Sequence, residues 1–308
     1  MSDQQGPMPA PPQVVTFEAV MPSSMALIAE QSGVRRASAD PLTVFVLSVM
    51  AGAFISFGAI FATTVGAGSI EIVSSDGIQA LTADIPYGFT RLLMGVVFSV
   101  GLILVVVGGA ELFTGNNMIV MAWASRKVTT RALLLNWVVA FVGNAVGAIA
   151  TAALMFLTMQ YSFGSGSVGL AALTTANAKV SLTFVSALTL GIMCNALVCL
   201  AVWMCYSART TVDRVVTIVP PIAAFVAAGF EHSIANLYFV PIAIFIKWGA
   251  SDSFWKTIGK SASDFEALSW GNFLLGNLLP VTVGNIIGGS VMVAAVYWFV
   301  YLRKMPQV

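Results

Sequence analysis

The chain holds one histidine, His232, which directly follows Glu231 inside a long apolar run. An imidazole, with a reference pKa of about 6.5, is the side chain best suited to exchange a proton near neutrality. One histidine does not make a bis-histidine haem site. Cys194, Cys199 and Cys205 crowd a single apolar segment without the spacing of a metal or iron–sulfur site. They read as small buried hydrophobes. No metal, no cofactor and no enzyme chemistry are therefore expected.

The glutamate before His232 has a counterpart. Gly109-Ala110-Glu111-Leu112-Phe113-Thr114-Gly115-Asn116 aligns with Gly229-Phe230-Glu231-His232-Ser233-Ile234-Ala235-Asn236, both reading Gly-x-Glu-x-x-x-x-Asn. Downstream, Asn136, Asn144 and Gly147 recur at the same spacing as Asn277, Asn285 and Gly288. A glutamate facing lipid is costly, so each Gly-Glu pair marks an interruption in an apolar helix that faces an internal cavity. A helix restarting there presents free N–H groups and a positive dipole end, which favour an anion. His232 has two readings, a proton-exchanging pore group or a tie between helices, and the first is preferred for an ionisable residue at membrane depth. Glu111 and Glu231 read as structural, capping backbone donors or fixing the histidine tautomer. Gly109, Asn116, Gly229 and Asn236 shape the breaks, and the paired asparagines downstream act as interhelical glue.

The elements that position these residues follow from composition. Of 308 residues, 58% are hydrophobic and 9% charged, against about 25% charged in soluble domains. Lys+Arg total 14 and Asp+Glu 13, so no nucleic-acid partner is expected. The partner is a lipid bilayer, whose core needs about 20 apolar residues per helix. Spans are expected at Thr43 to Gly66, Leu92 to Ala124 (interrupted), Ala132 to Thr158, Leu182 to Tyr206, Val215 to Ile246 (interrupted) and Trp270 to Leu302. This is an all-α integral membrane protein of six spans. Residues 1–40 form an N-terminal segment, 41–303 the channel domain (repeats at about 43–158 and 182–302), and 304–308 the C-terminal end. Three spans per half make the repeat an inverted one.

Arg35 and Arg36, then Arg126, Lys127 and Arg131, then Arg209 and Arg214, then Arg303 and Lys304 mark the cytoplasmic side, where both termini lie. The less basic loops with Glu71, Asp76 and Asp84, with Lys179, and with Asp252, Asp264 and Glu266 face outward. The stretch Phe17 to Arg36 reads as an amphipathic helix under the cytoplasmic face, a tether rather than a gate.

Four separated signatures resemble the formate/nitrite transporter family. They are Glu111-Leu112-Phe113-Thr114, Asn195 within Met193 to Trp203, Gly229 to Asn236, and Asn277 to Asn285. The resemblance covers Pro41 to Arg303. It implies an aquaporin-like fold, a homopentamer with one pore per protomer, and a bacterial inner-membrane location. By the same resemblance His232 is the central pore histidine and Thr114 the threonine facing it. Phe98, Leu102, Leu112 and Phe225 form apolar constrictions, Asn195 lies near the pore, and Lys179 near the outer mouth. Without the resemblance, Phe98, Leu102 and Phe225 read as ordinary helix packing. Aligned position for position, Leu112 opposes His232 and Thr114 opposes Ile234, giving an asymmetric filter.

The expected cargo is a small monovalent anion of a weak acid, moved passively or with a proton. The loop Phe254-Trp255-Lys256 through Asn272-Phe273, the run Leu279-Pro280-Val281-Thr282 and Tyr297 to Arg303 resemble the formate branch, whereas Glu111 to Gly115 resembles the nitrite branch equally. Formate comes first and nitrite second, with hydrosulfide, lactate or acetate behind. A methyl-sized difference is worth only about 1–3 kcal/mol, so overlap is expected. Two other classes compete: a membrane redox subunit, which lacks its ligands here, and a neutral-solute pore, which lacks Asn-Pro-Ala loops.

Overall fold

The computed structural model describes residues 19–68, 70–73, 80–83 and 86–304. Among the described residues the regular structure is helical apart from one antiparallel pair, β1 (Ile70–Val73) and β2 (Ala80–Ala83), in register Ile70 with Ala83. The sequence reading left this segment as a loop. Its β-branched Ile70, Ile72 and Val73 suit a short strand. Asp76, Asp84 and the first eighteen residues lie outside the described part.

Among the described residues, five helical stretches are long and apolar enough to cross a membrane: Pro41–Gly66 (α2), Tyr87–Gly108 (α3), Thr130–Leu157 (α6), Phe184–Cys205 (α8) and Asn272–Tyr301. A sixth exists if Ser233–Gly249 (α10) and Asp252–Ile258 (α11), bent by 111°, count as one. The last stretch contains Leu279–Ile286 (α12) between segments of wider i→i+5 bonding. Shorter helices complete the chain: Pro22–Ala37 (α1), Phe113–Asn116 (α4), Val120–Ala124 (α5), Ser167–Val180 (α7) and Thr211–Ala227 (α9). Within the stretch expected as an interrupted span from Val215 to Ile246, the helix stops at Ala227 and restarts at Ser233.

Local chemistry sets several helix starts. Asp40 accepts from the Thr43 N–H (2.9 Å) ahead of Pro41, whose missing N–H costs nothing at a first turn. Thr210 and Asp213 close a reciprocal cap at the start of α9. The N–H groups of Thr210 and Arg209 hold the Asp213 carboxyl below the usual carboxylate range. Helix α1 is more than a tether: Met25, Ala26, Ala29 and Glu30 are buried, and Glu30 pairs with Lys127 at 2.8 Å.

Two close helix pairs frame the interior, α2 on α6 and α8 on α12. At Gly147 an added Cβ would strike the Val49 carbonyl oxygen, and at Gly288 it would strike that of Ile192. No side chain fits at either place, so the backbones meet directly. On the outside, Leu134, Leu135, Val138, Leu275, Val291 and Phe299 are exposed, as suits a surface solvated by lipid rather than water.

Gly147→Leu and Gly288→Leu should each force these helices apart at a cost of about 1–3 kcal/mol or more. A lowered melting temperature in detergent, or loss of the monodisperse species, is the expected result. Gly271→Ala, where an added Cβ meets nothing within 4 Å, should leave the melting temperature unchanged or slightly raised.

Candidate functional site

Two non-helical loops interrupt the interior, one between α3 and α4 and one between α9 and α10. Each begins at a glycine with positive φ, Gly109 (74°) and Gly229 (76°), which closes the preceding helix. The next N–H groups turn back: Ala110 donates to Val105 (2.9 Å) and Phe230 to Phe225 (3.0 Å). Glu111 and Glu231 then donate their backbone N–H to the carbonyls of Leu47 and Leu190, both at 3.3 Å. The loop tips, Leu112 (φ −108°, ψ 123°) and His232 (φ −111°, ψ 114°), share one extended conformation.

One asparagine holds each loop. Asn144 accepts from the Phe113 N–H (2.9 Å) and donates to the carbonyls of Ser48 (2.7 Å) and Glu111 (2.9 Å). Asn285 accepts from Ser233 (2.9 Å) and donates to Gly191 (2.8 Å) and Glu231 (3.0 Å). Behind the loops, Asn116 donates to Glu111 (2.8 Å) and Asn136 (2.9 Å), while Asn236 donates to Glu231 and Asn277, both at 2.7 Å. Each carboxylate is neutralised by one cation, Arg36 on Glu111 (3.1 Å) and Lys179 on Glu231 (2.7 Å). Asn136 and Asn277 return a donor to the backbone carbonyl of that same cation, 3.0 Å in both cases. The glutamates thus brace the breaks, and neither acts on the histidine ring.

His232 is 3% exposed. Its Nδ1 accepts from the Ala235 N–H at 3.1 Å, which assigns the neutral ring's proton to Nε2. Nε2–H then donates to Thr114 Oγ1 at 3.1 Å, joining the two loops. The Phe225 ring stacks against the imidazole at 6.1 Å and meets Phe98 edge-on at 5.6 Å.

Two cavities approach this junction. The smaller, about 50 Å³, is lined by Arg91, Phe98, Lys179, Phe225, His232 and Asn236, among others. The larger, about 270 Å³, is lined by Arg36, Leu102, Gly109, Leu112, Tyr206 and Arg214, among others. Phe98 and Phe225 therefore sit on the His232 side of the junction, and Leu102 and Leu112 on the other. Thr114 is fully buried between them. Asn195 lines neither cavity. It stands behind Thr114, donating to that residue's carbonyl (3.3 Å), to Asn117 (3.1 Å) and to the Asn285 carbonyl (2.7 Å).

Sequence reasoning missed Arg36, taken only as a mark of membrane side. Its signal was positional: Arg36 precedes Ser48 by the same interval at which Lys179 precedes Gly191. Arg36 and Lys179 each lie in the last turn of their helix, α1 and α7. Arg91 was also passed over.

Comparison with known proteins supplies the lineage. The family model for the formate/nitrite transporter matches residues 23–299. The chain is 44% identical over 288 residues to the formate channel FocA of Escherichia coli strain K12, spanning 94% of this chain and 96% of that one. It is 36% identical over 281 residues to the formate channel FocA of Haemophilus influenzae, spanning 91% and 94%. A solved pentameric formate channel with formate bound superposes with a TM-score of 0.76 at 42% identity, covering 85% of this chain and 98% of that one. Lineage, interior breaks and buried histidine agree: the chain belongs to the formate/nitrite transporter family.

Proposed function

We propose that this protein is a membrane channel or transporter for small monovalent anions of weak acids, formate first and nitrite second. The reading is carried by one observation, the His232 Nε2–Thr114 Oγ1 link between two cavities that are otherwise separated by apolar side chains. The naming of two relatives as formate channels, and of a similar structure as pentameric with formate bound, supports formate as cargo and a homopentamer as the assembly. In this reading α3 with α4–α5, and α9 with α10, are the two interrupted spans of an inverted, aquaporin-like six-span repeat. Both termini face the bacterial cytoplasm, and the Lys179 side faces outward.

The chemistry follows from desolvation. An anion leaving either cavity loses water against Phe98 and Phe225 or against Leu102 and Leu112, at a cost an apolar ring does not offset. Nε2–H and the Thr114 hydroxyl supply a buried polar pair at this junction. A neutral imidazole can therefore pass its hydrogen bond from Thr114 to the anion. A second ring proton would sit on Nδ1, against the Ala235 N–H that now donates there. Proton exchange at His232 thus requires the first turn of α10 to loosen, and proton-assisted passage runs through that loosened state. Lys179, engaged by Glu231, acts mainly as a brace.

Three measurements check this. In liposomes the purified protein should carry formate, and nitrite more slowly; water or glycerol flux with no anion flux would overturn the anion reading. His232→Asn keeps a donor but does not titrate. It should retain flux and lose its pH dependence, an amide having no proton to exchange near neutrality; an unchanged pH profile would remove the proton arm alone. Finally, Glu231→Gln should cost about 3–5 kcal/mol by stranding the Lys179 charge, read as a lower melting temperature. Adding Lys179→Met should restore part of it.

A further inference from the structure

The cavity beside His232 receives two basic side chains, and their situations differ. Lys179 is committed: its ammonium contacts the Glu231 carboxylate at 2.7 Å and lies 5.4 Å from the Phe239 ring. Arg91, from the first turns of α3, lines the same cavity and belongs to none of the described ion pairs, which are Arg36–Glu111, Lys127–Glu30 and Lys179–Glu231. Its Nη2 donates to the Val226 carbonyl at the end of α9 and lies 3.5 Å from where a Cβ on Gly229 would stand. Its Nε is buried with no acceptor among the described residues. A Tyr87 ring flanks the guanidinium at 6.0 Å. Arg91 is thus a full positive charge held against the Gly229 break, aimed into the chamber of His232, with part of its donor fork unsatisfied.

The other cavity repeats the division. Arg36 is tied to Glu111, whereas Arg214, from the first turn of α9, lines the cavity with Val106 outside every described ion pair. Val106 and Val226 occupy the same place before their breaks, three residues ahead of Gly109 and Gly229. The His232 chamber therefore carries one cation engaged in the brace and one that is not, and the other chamber one engaged, Arg36, and two that are not, Arg35 and Arg214.

We infer that Arg91 is the side chain that draws the anion into the His232 chamber, Lys179 being the positioning residue for the loop. The inference rests on the anion-channel reading above. A single-sign charge in a low-dielectric cleft concentrates counter-ions and raises encounter rates, an effect that added salt screens. A merely structural arginine, holding only the Val226 carbonyl, would not confer that salt dependence.

The test is liposome flux of formate, with nitrite in parallel, at subsaturating concentration and rising inert salt. Wild-type flux should fall as salt rises. Arg91→Gln should be about tenfold slower at low salt and converge on wild type at high salt. Arg91→Lys, which keeps the charge and loses the planar fork, should retain the wild-type salt profile. If Arg91→Gln does not assemble, Arg91→His carries the test: its flux relative to wild type should rise as pH falls through about 6.5. Loss of flux by the same factor at every salt strength, no loss, or a flat ratio for Arg91→His overturns the inference and leaves the channel reading standing. A wild-type protein that carries neither anion overturns both.

Discussion

Everything in the interior depends on satisfying backbone groups that two broken helices release where water is absent. An unpaired N–H or C=O in hydrocarbon costs several kcal/mol, so a break survives only if other parts of the chain supply its partners. Asn144 and Asn285 do this with one side chain each, accepting from the restarting helix and donating to the loop carbonyl and to a neighbouring helix. Those bonds need α2 and α8 to lie close to α6 and α12, which is why the glycines at the crossings admit no side chain. Packing and hydrogen bonding are therefore one constraint: a bulkier residue at Gly147 would withdraw the Ser48 carbonyl from Asn144 as well as crowd the helix.

The two frameworks hold different tips. Leu112 and His232 have nearly the same backbone angles, so the difference between the loops lies in the side chains alone. His232 adds a side-chain cap, Nδ1 on the Ala235 N–H, that leucine cannot make. That cap fixes the ring's tautomer and orientation, and so fixes which nitrogen meets Thr114. Polarity is thereby concentrated at a single point, contributed jointly by the histidine of one loop and the threonine of the other, between Phe98 and Phe225 on one side and Leu102 and Leu112 on the other.

Much of this was legible in the sequence because a bilayer restricts what a chain may contain. Long uncharged runs, the paired Gly-x-Glu motifs and the recurring Asn-Gly spacing all follow from that restriction, and the four signatures named the family. The ion pairs were not legible. Arg36 reaches Glu111 across 75 residues, and Lys179 reaches Glu231 across 52, so no local periodicity links the partners and only the matched intervals to Ser48 and Gly191 mark the two cations. Arg36 also obeyed the positive-inside pattern, which accounted for its presence without a partner. The β1–β2 hairpin escaped because four-residue strands are too short for periodicity to register. The role of Asn195 was not legible either: its three bonds tie the Thr114 carbonyl, Asn117 and the Asn285 carbonyl together.

The charge balance of the braces determines what a permeating ion feels. A buried glutamate alone beside each break would repel an anion from the loop that is meant to receive it. Pairing Glu231 with Lys179 and Glu111 with Arg36 cancels that charge locally while keeping the carboxylate oxygens as acceptors for Asn236 and Asn116. The price is paid in desolvation of both ions, which such a pair repays only when its remaining lone pairs are filled, as they are here by the asparagines. With the braces neutral, the potential along the path is left to the restarting helix ends and to cations outside the pairs, all of which favour an anion. A framework that could hold either sign is thus biased by cations that its ion pairs do not consume.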